Sequence, residues 1–189
     1  STAVAGGLFC AGALGQEPAQ PPPNFLVIFC DDLCRKGVGF NNPVVKTPHL
    51  DKLAAEGLIF DHACIASPIC VASRASIMTS LYPQQHGAIA LDDAGFQKNV
   101  VEDGKYKTLA HCLAEHGYTT AFSGKSHVGS PLKYGFTTGQ EFNWKGEDEA
   151  FAHAAEFLRS EASRTQPFLL WLAPNQPHVP LLAPQAHLD

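Results

Sequence analysis

Two carboxylates, Asp31 and Asp32, stand side by side where an apolar run ends. Adjacent carboxylates repel unless a cation neutralises them, and hard oxygen ligands select Ca²⁺ or Mg²⁺. The same pair could instead form a solvated turn that caps the next segment. Lys125 and His127 lie two apart in the Gly-bounded stretch "GKSHVG". A point cation and an imidazole at that spacing can hold an anionic group and tune a nucleophile, or can simply line a surface loop. His178 lies between Pro177 and Pro180 in "NQPHVP", where proline restrains the backbone. Such a His beside a cleft suits general acid catalysis; otherwise it is a structural residue of a Pro-rich turn. Cys70, in "SPICVASRASIMTS", stands at the mouth of a helix-like run with Arg74 one turn on. Free N–H groups and the macrodipole at a helix start favour anions, and Arg74 adds fixed positive charge on the same face. An anionic substrate and an anionic nucleophile would both be held there. Taken alone, Cys70 reads as a buried Cys packing like a small hydrophobe.

These residues need elements to bring them together. "NFLVIFC" (24–30) is a continuous apolar, β-branched and aromatic run, expected to be a strand buried on both faces. "TPHLDKLAAEG" predicts a helix with Thr47 as cap, Pro48 at its first position and Gly57 as stop; Leu50, Leu53 and Ala54 share a face. "LIFDHACI" (58–65) predicts a short strand, and the next helix starts near Cys70 and ends before Tyr82-Pro83. "TLAHCLAEHG" is a further amphipathic helix, with Thr108 as cap and Gly117 as stop. "YTTAFSG" is a strand, "DEAFAHAAEFLRSEA" a helix with Phe151, Ala154, Phe157 and Leu158 toward the core, and "PFLLWLAP" another buried strand. Buried strands alternating with helices predict an α/β domain with a mainly parallel sheet. Ligands of such sheets bind just beyond the carboxyl ends of the strands. Asp31 and Asp32, Lys125 and His127, and His178 follow three different strands, so the topology would gather them. His111, His116 and His153 lie on helices, His49 in a first helical turn; His62 and His86 lie near the Cys70 helix, where they could line the cleft.

The 189 residues are 45% hydrophobic and 16% charged, which suits one globular domain with a sizeable core. A net charge of −5 without a Lys/Arg cluster makes nucleic acid a poor partner. No stretch after Pro23 is apolar and long enough to span a bilayer. Residues 1–23 differ: "AVAGGLFCAGALG" followed by "QEPAQPPP" resembles the remnant of a secretory signal peptide with a Pro-rich linker, small residues Ala11, Ala13 and Gly15 standing near a cleavage point. A flexible terminus is the other reading; a lipid anchor on Cys10 fits less well behind bulky Leu8 and Phe9. Export, periplasmic or secreted, would permit disulfides among Cys30, Cys34, Cys64, Cys70 and Cys112, and an odd count leaves one thiol over. Cys30 and Cys34 lack a second Cys pair at zinc-ribbon spacing.

"CVASR" followed by "ASIMTSLYPQQHG" resembles the signature of the formylglycine-dependent (type I) sulfatases of the alkaline phosphatase-like superfamily. "NFLVIFCDDL", "TPHLDKLAAEG", "GKSHVG" and "PHVP" follow the family in order, from about Asn24 onward, with the "GKSHVG" form closest to the sulfamidase-like, glycan-directed branch. The resemblance implies that residues 24–189 are the N-terminal part of a sulfatase catalytic domain. It implies that a separate formylglycine-generating enzyme oxidises Cys70 before folding. The hydrated aldehyde then binds a divalent cation, usually Ca²⁺; one hydroxyl attacks sulfur, and the other expels sulfate by re-forming the aldehyde. A plain thiol would be trapped as a thiosulfate ester, whereas a hemiacetal sulfate can collapse by itself. By the same resemblance Asp31, Asp32 and Cys70 are metal ligands, Arg74 fixes the hydrate, Lys125 and His127 contact sulfate and hydrate, and His178 serves the leaving group. Two departures are Ala72, where Pro is commoner, and Cys34-Arg35, where Gly or a polar residue is usual after the Asp pair.

The expected activity is hydrolysis of a sulfuric ester or sulfamate, with a sulfated glycan as substrate. Two other readings stand beside it: a phosphoester or phosphonate hydrolase of the same superfamily, and a non-catalytic exported glycan-binding protein with Cys70 unmodified. The chain is further expected to be an N-terminal piece that is inactive alone, because the family's downstream Asp, Asn or His and Lys do not follow His178. A divalent cation would be short of oxygen ligands and strand edges would be unpaired.

Overall fold

The computed structural model describes residues 21–89, 104–143 and 145–181. Cys10, most of the signal-like stretch and the last eight residues lie outside the described residues. Four strands form one sheet in the order β1-β4-β2-β3: β1 (Phe25–Ile28), β2 (Thr119–Gly124), β3 (Thr138–Glu141) and β4 (Phe168–Ala173). Every pairing is parallel, in agreement with the predicted α/β class. The helices are α1 (Pro48–Glu56), α2 (Cys70–Thr79), α3 (Pro83–His86), α4 (Leu109–Glu115), α5 (Glu147–Arg159) and α6 (Glu161–Thr165).

β4 organises the core because its side chains alternate between the two faces of the sheet. Leu169 and Trp171 pack with Phe122, Tyr134 and Phe136 and with Val71, Ala75 and Met78 of α2. Phe168, Leu170 and Leu172 pack on the other face with Ala121 and with Ala154 and Phe157 of α5. The sheet is therefore a middle layer, with α2 and α4 on one side and α5 on the other. β2 and β4 pair from Thr119↔Phe168 to Gly124↔Ala173, so their carboxyl ends finish level. β1 runs beside β4, and its ladder continues as Phe29 N–H to Leu172 O (2.8 Å) and Asp31 N–H to Pro174 O (3.2 Å).

Three local expectations need correction. β1 is not buried on both faces: Phe25, Leu26 and Ile28 are 40–50% exposed. Within the described residues it pairs only with β4 and stands at the sheet edge, so composition alone overstates its burial. Residues 58–65 form no strand; Leu58, Ile59, Phe60 and Ile65 are exposed along a bent path. Arg35 holds that path by donating to Asp61 Oδ1 (2.8 Å) and to the Asp61 carbonyl (2.9 Å). On α5 the buried residues are Ala150, Ala154 and Phe157, while Phe151 and Leu158 are exposed.

The helix ends follow the sequence more closely. Thr108 caps α4 by accepting from the His111 amide (3.2 Å), and Gly117 after its end has φ 82°. Thr47 precedes Pro48 at the start of α1, but its hydroxyl is used elsewhere. It accepts from Gly39 N–H (2.8 Å) and donates to Asp51 (2.9 Å), tying α1 to the preceding turns. Leu53 of α1 is 63% exposed, and α1 buries none of its residues. Cys30, Cys34, Cys64, Cys70 and Cys112 are all free thiols.

Candidate active site

The parallel register brings three loops to one end of the sheet. Asp31 leaves β1 still attached to the β4 side, Lys125 follows β2 with its amide on Ala173 O (2.8 Å), and Asn175–His178 follows β4. Asp31 is buried at 5% exposure, against cations on both sides. Lys125 Nζ donates to its Oδ2 at close range, and Arg74 Nη2 lies 3.4 Å from its Oδ1. Burial pushes the Asp31 carboxyl up, but the Lys125 hydrogen bond and the Arg74 charge outweigh it, leaving it below the usual carboxylate range.

Arg74 is 0% exposed. Its Nη1 donates to the Lys125 carbonyl (2.6 Å), and its guanidinium lies over the Phe29 ring, 5.1 Å from the centroid. Its Nε and Nη2 are buried without a hydrogen-bond partner among the described residues, as is His127 Nδ1. The two Arg74 nitrogens are donors that an oxygen-rich anion would satisfy. Cys70, half-buried, is the first residue of α2 and joins this group through Arg74, one turn along. No direct bond links Cys70 to Asp31 or Asp32 among the described residues, and no cluster of three or more His, Cys, Asp or Glu side chains forms there.

Lys125, His127 and His178 line one open cavity of about 550 Å³ together with Glu141, Asn143 and Asn175. Burial, followed by the Lys125 and Arg74 charges, holds the His127 imidazole below its ordinary 6.5, so the ring is neutral at pH 7. Its backbone has φ 62°, a left-handed conformation uncommon for a residue with a Cβ. Asp32 also has positive φ (60°), and its side chain is 58% exposed. There Asp32 Oδ2 lies 3.7 Å from His178 Nε2, and His178 Nδ1 meets the Val179 carbonyl at 2.5 Å.

Two glutamates escaped the sequence reading. Glu141 Oε1 accepts from the amides of Ser126 and His127, both at 3.3 Å. Glu147 Oε1 accepts from Asn175 (2.5 Å) and Gln176 (3.0 Å). Glu141 ends the polar strand β3, which no hydrophobic pattern announces, and Glu147 looks like an ordinary acidic helix start. His86 is buried behind α2, with Nε2 on Ser76 Oγ (2.9 Å), and burial lowers its pKa. His62 is exposed; neither lines the cavity.

The candidate site is thus a buried carboxylate held by the buried Arg74 and the partly buried Lys125 at parallel strand ends, beside an open polar cavity in an α/β fold. The chain belongs to the sulfatase family: the Sulfatase family profile matches residues 23–189. It is 37% identical over 135 residues to mouse (Mus musculus) steryl-sulfatase, an alignment covering 63% of this chain and 22% of that protein. It is 30% identical over 168 residues to human (Homo sapiens) N-sulphoglucosamine sulphohydrolase, covering 83% of this chain and 32% of that protein. Among solved structures, Ps i-CgsB in complex with k-i-k-neocarrahexaose superposes with a TM-score of 0.71 at 28% identity, covering 87% of this chain and 47% of that one. The chain thus spans less than half the length of each of these three proteins.

Proposed function

We propose that this chain contributes the anion-facing part of the active site of a sulfuric ester or sulfamate hydrolase acting on a sulfated glycan. The observation that carries this reading is the buried Asp31–Arg74–Lys125 cluster, which opens into the cavity shared by His127 and His178. Lys125 and Arg74 supply fixed positive charge where sulfate oxygens gather, in a partly dry site where such charge counts most. The neutral His127 ring can exchange a proton with a hydroxyl near pH 7. His178, at the cavity mouth beside Asp32, gives a proton to the departing oxygen or nitrogen as its bond to sulfur breaks.

Residue 70 carries the nucleophile in this proposal. Formylglycine made there by a separate maturation enzyme would supply, as its hydrate, an oxygen able both to accept the sulfuryl group and to release it. The buried Arg74 Nε, without a hydrogen-bond partner among the described residues, fits an oxygen-rich group at the start of α2. Asp31 and Asp32 are the residues that would hold Ca²⁺, or Mg²⁺. Their hard oxygens fit such an ion in kind, although two carboxylates with residue 70 are fewer than its usual six or more ligands. A bound divalent cation would add charge opposite the sulfate oxygens.

The glycan assignment is supported by the sugar named in the human sulphohydrolase and the neocarrahexaose bound to Ps i-CgsB, and by the Glu141, Asn143 and Asn175 wall, whose groups suit sugar hydroxyls. An exported location, with residues 1–23 as leader and linker, belongs to the same proposal. Mass analysis of the peptide containing residue 70, from protein made in its own host, should show the thiol replaced by an aldehyde. That protein should hydrolyse a sulfate ester faster than the matching phosphate ester and lose turnover on chelation. An unmodified thiol in active protein, or the reverse preference, would overturn the reading.

A further inference from the structure

The two loops bearing His127 and His178 are each held by a carboxylate from a third part of the chain. Glu141 takes the Ser126 and His127 amides, and Glu147 takes those of Asn175 and Gln176. Phe142, between them, donates its amide to Gly124 O (3.0 Å) and accepts from Asn175 Nδ2 (3.3 Å). This edge of the cavity therefore grips the end of β2 and the end of β4 at once. The Glu147 grip is the tighter. Its Oε1 takes two consecutive amides just ahead of the Pro177–His178 step, while its Oε2 is buried without a hydrogen-bond partner among the described residues.

A carboxylate left with one oxygen unpaired in a buried place costs stability that an apolar residue would not. Capping α5 would not require that burial, since Asp148 and Glu149 already put negative charge in its first turn. The two backbone bonds are what the carboxylate gains in return. Asn175 and Gln176 could not both donate to a single neutral acceptor as strongly, because hydrogen bonds to an ionised oxygen are about twice as strong as neutral ones.

We propose that Glu147 is a positioning residue: by clamping the Asn175 and Gln176 amides it sets where His178 stands relative to Lys125 and His127. This rests on the reading of His178 as the group that serves the leaving atom. The experiment compares Glu147→Ala, Glu147→Gln, His178→Ala and the Glu147→Ala/His178→Ala double variant of the mature protein, on a sulfated sugar and on an activated aryl sulfate. Glu147→Ala should lower kcat on the sulfated sugar by about 10²-fold, the cost of an ångström-scale misplacement. KM and aryl sulfate turnover should change far less. Glu147→Gln, which keeps an acceptor oxygen but makes weaker bonds, should restore part of the rate. The double variant should be only slightly slower than His178→Ala, since the clamp acts on catalysis mainly through that residue and otherwise only through Asn175 in the cavity wall. Independent losses that multiply in the double variant, or a Glu147→Gln as slow as Glu147→Ala, would overturn the assignment. A separate readout does not depend on turnover. In histidine-ring NMR spectra the His178 signals should move in Glu147→Ala, stay near wild type in Glu147→Gln, and leave those of exposed His49 unmoved in both. If sulfate esters are not substrates at all, the hydrolase reading falls, while unmoved His178 signals alone sink the clamp.

Discussion

Asp31 and Asp32 are neighbours in sequence and opposites in setting. Asp31, still on the β4 side of the sheet, is buried between Arg74 and Lys125. Asp32, one residue on, turns through positive φ and faces His178 from solvent. The inner cluster sets two cations against one carboxylate and so keeps a net positive charge inside the fold, whereas the rim carboxylate stands in solvent. The comparison teaches that a carboxylate pair adjacent in sequence can be divided between holding the site and facing solvent at its rim.

The largest expected effect tests the inner half. Arg74→Ala should destabilise the protein by about 2–4 kcal/mol, because it empties the space of a fully buried side chain and leaves Asp31 with Lys125 alone. Urea unfolding would measure it, and a loss below about 1 kcal/mol would mean that Arg74 is not buried in solution. A second effect appears in acid. Asp31 is held below its unfolded value of about 3.9, so its stabilisation is complete above that value and fades as pH falls through the lower folded one. Unfolding measured between about pH 4 and 2 should show a flatter slope in Asp31→Asn than in wild type.

A smaller effect concerns His127. Its folded pKa is depressed, so the folded state binds a proton less readily than the unfolded chain. The associated stability is present above 6.5 and lost as pH falls below it. His127→Gln should remove that decline in thermal melts at a series of pH values. The least effect on stability belongs to the rim: Asp32→Ala and His178→Ala should each lie within about 0.5 kcal/mol of wild type. Turnover of sulfated sugar by His178→Ala should nevertheless fall well below its turnover of an activated aryl sulfate. A rim variant that unfolds early would erase the contrast between the two halves.

The parts of the fold readable in sequence were those where one force dominates. "PFLLWLAP" is apolar throughout because β4 is covered on both faces, and "TLAHCLAEHG" carries its own cap and stop. "NFLVIFC" has the same composition as β4 but lies at an edge, a fact held by its neighbours and not by its residues. "LIFDHACI" has strand propensity and no partner strand among the described residues, and propensity without pairing does not make a ladder. β3 was invisible because its four residues, Thr-Gly-Gln-Glu, are polar or lack a side chain. That Asp31, Lys125 and His178 would gather at one end of the sheet was legible because parallel topology brings strand ends together. The glutamates beneath the loops were not, because a side chain that binds backbone amides leaves no pattern in sequence.

Gly124 closes β2 with φ 114°, and a Cβ built there would lie 2.1 Å from the Ala173 carbonyl oxygen. Lys125 is the next residue, so its coordinates depend on a methyl group being missing one position earlier. For protein engineering this defines a seam. A graft that keeps Lys125 but brings a side chain to 124 would pry β2 from β4 and shift every donor downstream, whatever the new loop contains.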